Sequence, residues 1–221
     1  MTMTTVAVLP VKRFDDAKQR LGETMRSGTR RALAEAMLTD VLTALRRSHR
    51  VDLTVVVTRE KAADALARAH DARTIRDPDE PGHNPAAREG VRWAMEQGAR
   101  RVILVPGDCP ALDPTEVDDL LLAHPHDEAR VTIVPDRHGT GTNALVLCPP
   151  DAIAPSFGIG SRARHEGLAR EAGAECRIAE PPSLVLDIDT IEDLAVLRAA
   201  LDARTGGAAH TRGLLARLGR R

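Results

Sequence analysis

Four polar segments of the chain each follow a short apolar run and carry residue types that bind phosphate or metal ions. In the first, Lys12 and Lys18 are two of only three lysines among 31 basic residues. Two ammonium groups so close in sequence can neutralise the charge of a polyphosphate. The alternative is a solvated loop with ordinary surface charges. No GxxxxGK[ST] or GxGxxG pattern is present, so neither phosphate-binding fingerprint supports this loop.

Three aspartates in two further segments could hold a metal ion. Asp108 follows the apolar run RVILV, where an unpaired carboxylate would be costly to bury. In VLDIDT, Asp187 and Asp189 would share one face of a strand, with Ile188 opposite. Such close like charges repel unless a cation lies between them, and carboxylate oxygens suit Mg²⁺. Asp108 could equally contact a ribose, and the alternative for it is a cap on the next helix, a place that Asp113 already fills. The alternative for the pair is that Asp189 or Thr190 only caps the next helix, with Asp193 closing a capping box.

Two segments rich in Gly, Ser and Thr could bind a second, smaller anion. They are DRHGTGTN and FGIGSRARH. The latter leads into a predicted helix, so Gly158, Gly160 and Ser161 could form an anion nest at its N-terminus, with the Thr142 hydroxyl beside them. A hairpin turn followed by a helix cap is the alternative. A polyphosphate loop, a three-acid metal site and a separate anion nest together fit nucleotidyl transfer better than hydrolysis.

These segments need a sheet that gathers them at one edge. Short β-branched runs alternate with stretches of helical spacing, which predicts a mostly parallel sheet with helices on both faces. Ligands then bind at the carboxyl ends of the strands. The predicted strands are 6–11, 52–58, 73–75, 101–105, 130–134, 143–147 and 184–187, and the predicted helices are 29–47, 60–69, 85–97, one starting at 114, 161–172 and 191–203. After residue 204 the composition predicts a solvated tail with one weak turn at 214–218.

The bulk composition excludes several classes of partner. With 31 Lys and Arg against 32 Asp and Glu, the net charge of −1 offers no basic excess for nucleic acid or an anionic membrane. No apolar run approaches the length of about 18 residues that a membrane span requires. Cys109, Cys148 and Cys176 show no zinc-binding spacing, which predicts buried thiols in a reduced, cytoplasmic setting.

The motifs LPVKRFDDAKQRL, GDCPAL, DRHGTGTNAL, FGIGSRARH and LDIDTIEDL, in this order, resemble those of the CofC/FbiD guanylyltransferases of coenzyme F-420 biosynthesis. The resemblance runs from about residue 6 to 201 and implies a single α/β domain of the GT-A nucleotidyltransferase type with a Rossmann-like three-layer fold. We expect this domain at 1–204 and, from composition, a flexible tail at 205–221. It also implies Mg²⁺, GTP and a phosphorylated three-carbon acid, either phosphoenolpyruvate or 2-phospholactate, as ligands. Whether the chain forms a homodimer is not decided by the sequence.

The resemblance assigns roles residue by residue. The metal set is Asp108, Asp187 and Asp189, the acceptor set is Thr142, Gly158 and Ser161, and the nucleotide set is Lys12, Lys18, Asn84 and Asp108. Lys12, Lys18 and Asp108 form the catalytic set, in which the two lysines offset the charge of departing pyrophosphate. Asn84 matches a guanine contact, although His83 and Pro85 on either side of it depart from the usual Leu and Ala.

Other functions remain as alternatives. A nucleotidyltransferase for molybdopterin or a sugar phosphate usually carries an LxxGxSxRxGxxK-like loop, whereas LPVKRFDDAKQRL contains no glycine. A non-catalytic nucleotide-binding regulator would not need all three aspartates. Among the acceptors, 3-phosphoglycerate is a further candidate. The arginine-rich composition, typical of a GC-rich genome, favours phosphoenolpyruvate by association only.

Overall fold

One seven-stranded sheet runs through the part of the chain that the computed structural model describes, residues 4–14, 21, 25–78, 82–123 and 129–219. The strands are β1 (Thr5–Val11), β2 (Leu53–Thr58), β3 (Arg73–Arg76), β4 (Arg101–Leu104), β5 (Arg130–Pro135), β6 (Thr142–Cys148) and β7 (Glu175–Ile178). The helices are α1 (Ser27–Arg47), α2 (Lys61–Ala69), α3 (His83–Glu96), α4 (Pro114–Leu122), α5 (Ser161–Glu171), α6 (Ile191–Asp202) and α7 (Ala209–Leu218). The predicted helices are confirmed with ends within two residues.

The sheet has the order β3-β2-β1-β4-β6-β5-β7, and its strands are mostly parallel, as predicted. β1 pairs in parallel with β2 and β4, and β5 pairs in parallel with β7. β6 is antiparallel to both of its neighbours, β4 and β5. Because β6 is reversed, its first residue, Thr142, lies at the edge where β1 and β4 end.

The two faces of the sheet carry separate hydrophobic cores, which gives the predicted three layers. Ala7 and Leu9 of β1 pack on one face with α1, α2 and α4, whereas Val6 and Val8 pack on the other with α3 and α5. α3 lies so close to β1 that a Cβ at Gly90 would stand 2.2 Å from Cγ1 of Val8. The alternation of β1 side chains therefore fixes a layer on each side.

The predicted strand at 184–187 is wrong, because this segment is irregular and pairs with no strand of the described sheet. Its alternation is nevertheless real. Leu184, Leu186 and Ile188 are buried, while Asp187 and Asp189 are half-buried. The pattern was produced by packing against helices rather than by ladder hydrogen bonds, which the sequence alone does not distinguish.

The edge strand β7 was not predicted, because the sequence ECRI is polar and its first three residues are exposed. It is a strand because Glu175–Ile178 lies beside β5 in register, with Ile178 opposite Ile133. The same strand exposes Cys176, so the prediction of buried thiols is wrong at that position. Cys109 and Cys148 are buried as predicted.

The expectation of a solvated tail after residue 204 is wrong for α7, which packs on α1. Leu215 is buried in a cluster that also contains Leu186 and Ile188. The carboxylate of Asp40 on α1 accepts hydrogen bonds from the amides of His210 (3.0 Å) and Thr211 (2.8 Å) at the start of α7. A residue 170 positions away thus caps the helix, a signal that no local pattern contains. No described helix is long and apolar enough to cross a membrane.

Replacing Asp40 with alanine should lower the free energy of unfolding by about 2 kcal/mol, because two helix-terminal amides lose a charged acceptor. Chemical denaturation measures this loss, and amide hydrogen exchange should show it first in α7. The control is Asp202→Ala, since Asp202 is exposed at the end of α6. Equal stability of the two variants would mean that Asp40 does not hold α7.

Candidate active site

The loop after β1 presents Lys12 because its neighbours are tied to the turn between β2 and α2. The Thr58 hydroxyl donates to the carbonyl of Val11 at 2.8 Å, and the Glu60 carboxylate accepts from the amide of Phe14 at 3.2 Å. Lys12 between these anchors is exposed. Lys18 lies outside the described residues.

Glu60 holds this turn in place as a charged group. Its carboxylate also caps α2 through the amide of Ala62 and pairs with Arg31 at 3.0 Å. Burial alone would raise the pKa of Glu60, but the amides of Ala62 and Phe14 and the guanidinium of Arg31 outweigh it and hold that pKa below its ordinary value. The anchor of the β1 loop therefore stays ionised at neutral pH.

A cavity of about 380 Å³ opens at the carboxyl ends of β1 and β4. Its polar lining brings together three predicted site residues, Lys12, Asp108 and Asp189, with His83 beside them. Its apolar wall consists of Phe14, Ala34, Met37 and Leu38. A cavity with a cation, two carboxylates and an apolar wall suits a ligand that has both an anionic and a flat apolar part.

Asp187 shares its electrostatic environment with the other two aspartates. Burial, followed by the charges of Asp108 and Asp189, raises the pKa of Asp187 to about 6. A side-chain hydrogen bond from Asn143 (3.3 Å) partly opposes this rise. The same amide group of Asn143 donates to the carbonyl of Leu184 at 2.9 Å. The predicted acidic residues are thus close enough to repel one another.

The predicted cap on the helix after this segment is confirmed at Thr190 and not at Asp189. Thr190 caps α6, and the Asp193 carboxylate closes a capping box by accepting from the Thr190 amide at 2.7 Å. Arg137 pairs with Asp193 at 2.8 Å, which joins this turn to the turn before β6. Neither Asp187 nor Asp189 is used as the cap, so the capping alternative does not account for them.

Three carboxylates form a donor set of hard oxygens, which is the chemistry that Mg²⁺ requires. Their mutual repulsion is the signature of a site that a cation would stabilise. As the side chains stand, the described residues contain no group of three His, Cys, Asp or Glu side chains arranged to hold a metal ion. The donor chemistry fits Mg²⁺, and ion binding would require the carboxylates to turn towards a common point.

The loop at 157–160 before α5, called the glycine-rich loop below, packs against the turn before β6, as expected for a composite anion site. The amide of Arg162 donates to the carbonyl of Thr140 at 3.2 Å, and Gly158 and Gly160 take positive φ angles of 115° and 69°. However, the Ser161 amide is engaged by the carbonyl of Gly158 at 3.0 Å. The Ser161 hydroxyl is fully buried and has no hydrogen-bond partner among the described residues. In this conformation Ser161 presents neither group at the surface.

The Thr142 hydroxyl lies 3.0 Å from Nδ1 of His165, a residue to which the sequence assigned no role. The other ring nitrogen, Nε2, accepts a hydrogen bond from the amide of Ser156 at 2.9 Å. Burial and the nearby charge of Arg164 lower the pKa of His165 to about 4, so the ring is neutral at pH 7. The only sequence signal was its place one helical turn after Ser161 on α5.

Asn84 joins the cavity to the glycine-rich loop. Its side-chain oxygen accepts from the amide of Phe157 at 2.6 Å, and its nitrogen donates to the Phe157 carbonyl at 3.1 Å. The Phe157 ring makes edge contacts with His83 (4.9 Å between centroids) and His165 (5.4 Å). Asn84 is predicted to contact guanine, but one lone pair of its side-chain oxygen and one of its N–H groups bind the loop backbone.

His83 and Arg164 were also missed by sequence reasoning. Burial and the charge of Lys12 lower the pKa of His83 to about 4, with Asp108 opposing them, which places His83 among the groups of the cavity. The Arg164 guanidinium donates to the carbonyls of Ser156 and Phe157 and braces the glycine-rich loop. His83 acts through contacts with distant residues, whereas Arg164 acts within its own segment.

Comparison with known proteins identifies the family that carries this arrangement. Residues 5–218 match the family described as "Guanylyl transferase CofC like". The chain belongs to this family. A phosphoenolpyruvate guanylyltransferase of Conexibacter woesei is 53% identical over 216 residues, which cover 98% of this chain and 97% of that protein. A 3-phospho-D-glycerate guanylyltransferase of Phenylobacterium zucineum is 39% identical and covers 90% of this chain and 92% of its own length.

The fold of this CofC-like chain has counterparts among solved structures. A protein of Desulfovibrio desulfuricans assigned to the nucleotide-diphospho-sugar transferases superimposes with a TM-score of 0.76. The match covers 97% of this chain and 95% of the other at 19% sequence identity. At that identity the likeness concerns the fold alone, and the predicted nucleotidyltransferase fold is confirmed.

The lowered pKa of His165 predicts a pH dependence of stability. Because the ring titrates near 4 in the folded chain and near 6.5 when unfolded, the unfolded state binds the proton more tightly. Stability should therefore fall as the pH drops from 6.5 towards 4, by about 3 kcal/mol in all from this residue. Urea unfolding of the wild type and of His165→Gln across this range measures it. The free energy of unfolding should decline more steeply with falling pH in the wild type than in His165→Gln. Parallel declines would contradict a neutral His165 ring in the folded chain.

Proposed function

We propose that this CofC-like chain transfers GMP from GTP to phosphoenolpyruvate and releases pyrophosphate. The product would be enolpyruvyl-diphospho-5′-guanosine, a precursor for coenzyme F-420. The observation that carries the proposal is near-complete coverage of a phosphoenolpyruvate guanylyltransferase at 53% identity. The cavity with Lys12, Asp108 and Asp189 supports it, because these groups have the chemistry of a nucleoside triphosphate site.

The reaction needs little acid–base chemistry from the protein. An oxygen of the acceptor phosphate attacks the α-phosphorus of GTP, forming one P–O bond. The bond from the α-phosphorus to the bridging oxygen of pyrophosphate breaks, and its electron pair leaves with pyrophosphate. Since the attacking oxygen is already anionic, no general base is required, and catalysis consists of positioning and charge neutralisation.

The residues of the site divide this work between two anions. Lys12, and by family resemblance Lys18, would offset the charge of the departing pyrophosphate. Bound Mg²⁺, with Asp108, Asp187 and Asp189 as ligands, would add positive charge beside the α-phosphoryl group. Thr142 and the loop at Gly158 would orient the acceptor phosphate. Ser161 remains part of the predicted acceptor set, which requires its loop to open from the conformation described.

A second acceptor is supported by a specific observation. The 39% identical relative from Phenylobacterium zucineum is named for 3-phospho-D-glycerate, and it covers nine-tenths of this chain. All the candidate acceptors are phosphorylated three-carbon acids, so the same anion site would serve each of them. The higher identity to the Conexibacter protein favours phosphoenolpyruvate.

The decisive experiment offers the purified chain GTP, Mg²⁺ and, in separate reactions, phosphoenolpyruvate, 2-phospholactate and 3-phosphoglycerate. Pyrophosphate release is followed, and the guanylylated product is identified by mass spectrometry. Product from phosphoenolpyruvate at the highest kcat/KM is expected. Preference for another acceptor would replace phosphoenolpyruvate, and an absence of product with all three would refute guanylyl transfer to this class of acid.

Lys12→Ala should raise the KM for GTP by about tenfold or more, because a charge-assisted contact to phosphate is lost. The KM for the acceptor should stay within about twofold of the wild type. Lys61→Ala is the matched control, since Lys61 is an exposed lysine at the start of α2. A selective rise in acceptor KM would move Lys12 to the other half of the site.

Asp187→Asn should lower kcat by at least about a hundredfold while leaving the fold as stable or more stable than before. The reason is that the substitution removes a charge that Asp108 and Asp189 repel. Turnover at several Mg²⁺ concentrations and thermal unfolding together measure the effect, with exposed Asp151→Asn as the control. Wild-type turnover at limiting Mg²⁺ would rule out Asp187 as a metal ligand.

A further inference from the structure

His165 lies behind the predicted acceptor site rather than in it. It stands in the second turn of α5, fully buried, with its ring between the start of β6 and the loop at Ser156. The family resemblance assigns no role to His165, and its buried ring cannot touch a ligand at the surface. Its two hydrogen bonds nevertheless define the chemical state of Thr142.

The first hydrogen bond fixes which ring nitrogen carries the proton. The backbone amide of Ser156 lies 2.9 Å from Nε2, and an amide N–H can only donate. Nε2 must therefore offer a lone pair. A neutral imidazole with a lone pair on Nε2 has its proton on Nδ1.

The second hydrogen bond then has a definite direction. Nδ1–H of His165 donates to the Thr142 hydroxyl oxygen at 3.0 Å. A hydroxyl that accepts a bond at its oxygen retains its own proton for another partner. His165 is the partner of this hydroxyl within the described residues, so the Thr142 proton is available to a group outside them.

We propose that His165 is a positioning residue that turns the Thr142 hydroxyl into a hydrogen-bond donor for the phosphate or carboxylate oxygen of the acceptor. With the opposite tautomer, the Thr142 hydroxyl would donate its proton to Nδ1 of His165. Only the lone pairs of the hydroxyl oxygen would then face the acceptor, and they would repel an anion. Successive hydrogen bonds from Ser156 through His165 to Thr142 also polarise one another. The chain of bonds thus favours an anion at its end.

The ring is held in this orientation by Phe157, whose backbone is fixed by Asn84. Phe157 makes an edge contact with the His165 ring, and the Asn84 side chain holds the Phe157 backbone through two hydrogen bonds. Rotation of the imidazole about its χ2 angle would break the bonds to both Thr142 and Ser156. The packing therefore supports one orientation and, with it, one tautomer.

Two substitutions at His165 separate its two hydrogen bonds. In His165→Asn, the side-chain nitrogen can take the place of Nδ1 and still donate to Thr142. In His165→Gln, the side-chain oxygen can take the place of Nε2 and still accept from Ser156, but the donor to Thr142 is lost. The inference rests on the proposed guanylyl transfer, so both are assayed with whichever acceptor the wild type uses.

We expect His165→Gln to raise the KM for the acceptor by about tenfold, the effect of weakening one hydrogen bond to a charged group. His165→Asn should recover most of this loss, and the KM for GTP should stay within about twofold in both. In a Thr142→Val background, His165→Gln should add almost nothing, because both changes remove the same donor. Equal losses in Asn and Gln, or full additivity with Thr142→Val, would overturn the positioning role and leave a structural one.

The tautomer itself is measured without any substrate or variant. In a long-range ¹H–¹⁵N spectrum of the wild type at pH 7, His165 should show a protonated Nδ1 and an unprotonated Nε2. A protonated Nε2 would overturn the inference even if every variant failed to fold. A wild type that yields no product with any acceptor would refute the proposed function instead, and the tautomer would still be readable.

Discussion

Asp108, Asp187 and Asp189 repel one another, and the fold keeps them together against that repulsion. Burial first, and then the charges of Asp108 and Asp189, raise the pKa of Asp187. Apolar side chains of the same segment oppose this repulsion, since Leu184, Leu186 and Ile188 are buried in two hydrophobic clusters. Burying each of these side chains contributes about 1.5–3 kcal/mol. The segment is thus held by its apolar residues, and Asp189 at its end lines the cavity.

Strand β6 runs antiparallel to β4 and β5. Its first residues, rather than its last, therefore lie at the edge of the sheet where the candidate site is. Thr142 begins that strand and Asn143 follows it, so one short stretch contacts both His165 and Asp187. The turn before β6 is tied to α5 through Arg162 and to the start of α6 through Arg137. These contacts hold the two loops to which the proposed function assigns separate anions.

Much of this architecture could be predicted from sequence, for identifiable physical reasons. Strands such as Arg101–Leu104 are continuous apolar runs, and helices such as α4 begin with a recognisable Asp-Pro cap. Lys12 and Asp108 stood out in the sequence as polar residues just after apolar strands, and both line the cavity. In each of these cases the cause of the structure lies within a few residues of its effect.

The features that were missed depend on distant partners. α7 is capped by Asp40, β7 exists because β5 lies beside it, and His165 acquires its tautomer from Ser156. The segment at 184–187 shows the converse error, since strand-like alternation arose there from packing on helices. Ser161 illustrates a finer limit, because a motif indicates that a hydroxyl stands at a helix start but not that its oxygen is buried.

The change of strand direction at β6 separates the elements that carry the predicted nucleotide residues from those that carry the predicted acceptor residues. β1 to β4 with their helices surround the cavity that contains Lys12 and Asp108, whereas β5, β6, β7 and α5 carry Thr142 and the glycine-rich loop. The two sets of elements share both hydrophobic cores, and the side chains of Asn84 and Asn143 add hydrogen bonds near the site. Because the predicted acceptor residues lie on elements other than those around Lys12, substitutions near Thr142 would change the acceptor site without touching the predicted nucleotide site. Relatives named for different three-carbon acids, at comparable distance from this chain, are what such a division of labour would produce over evolutionary time.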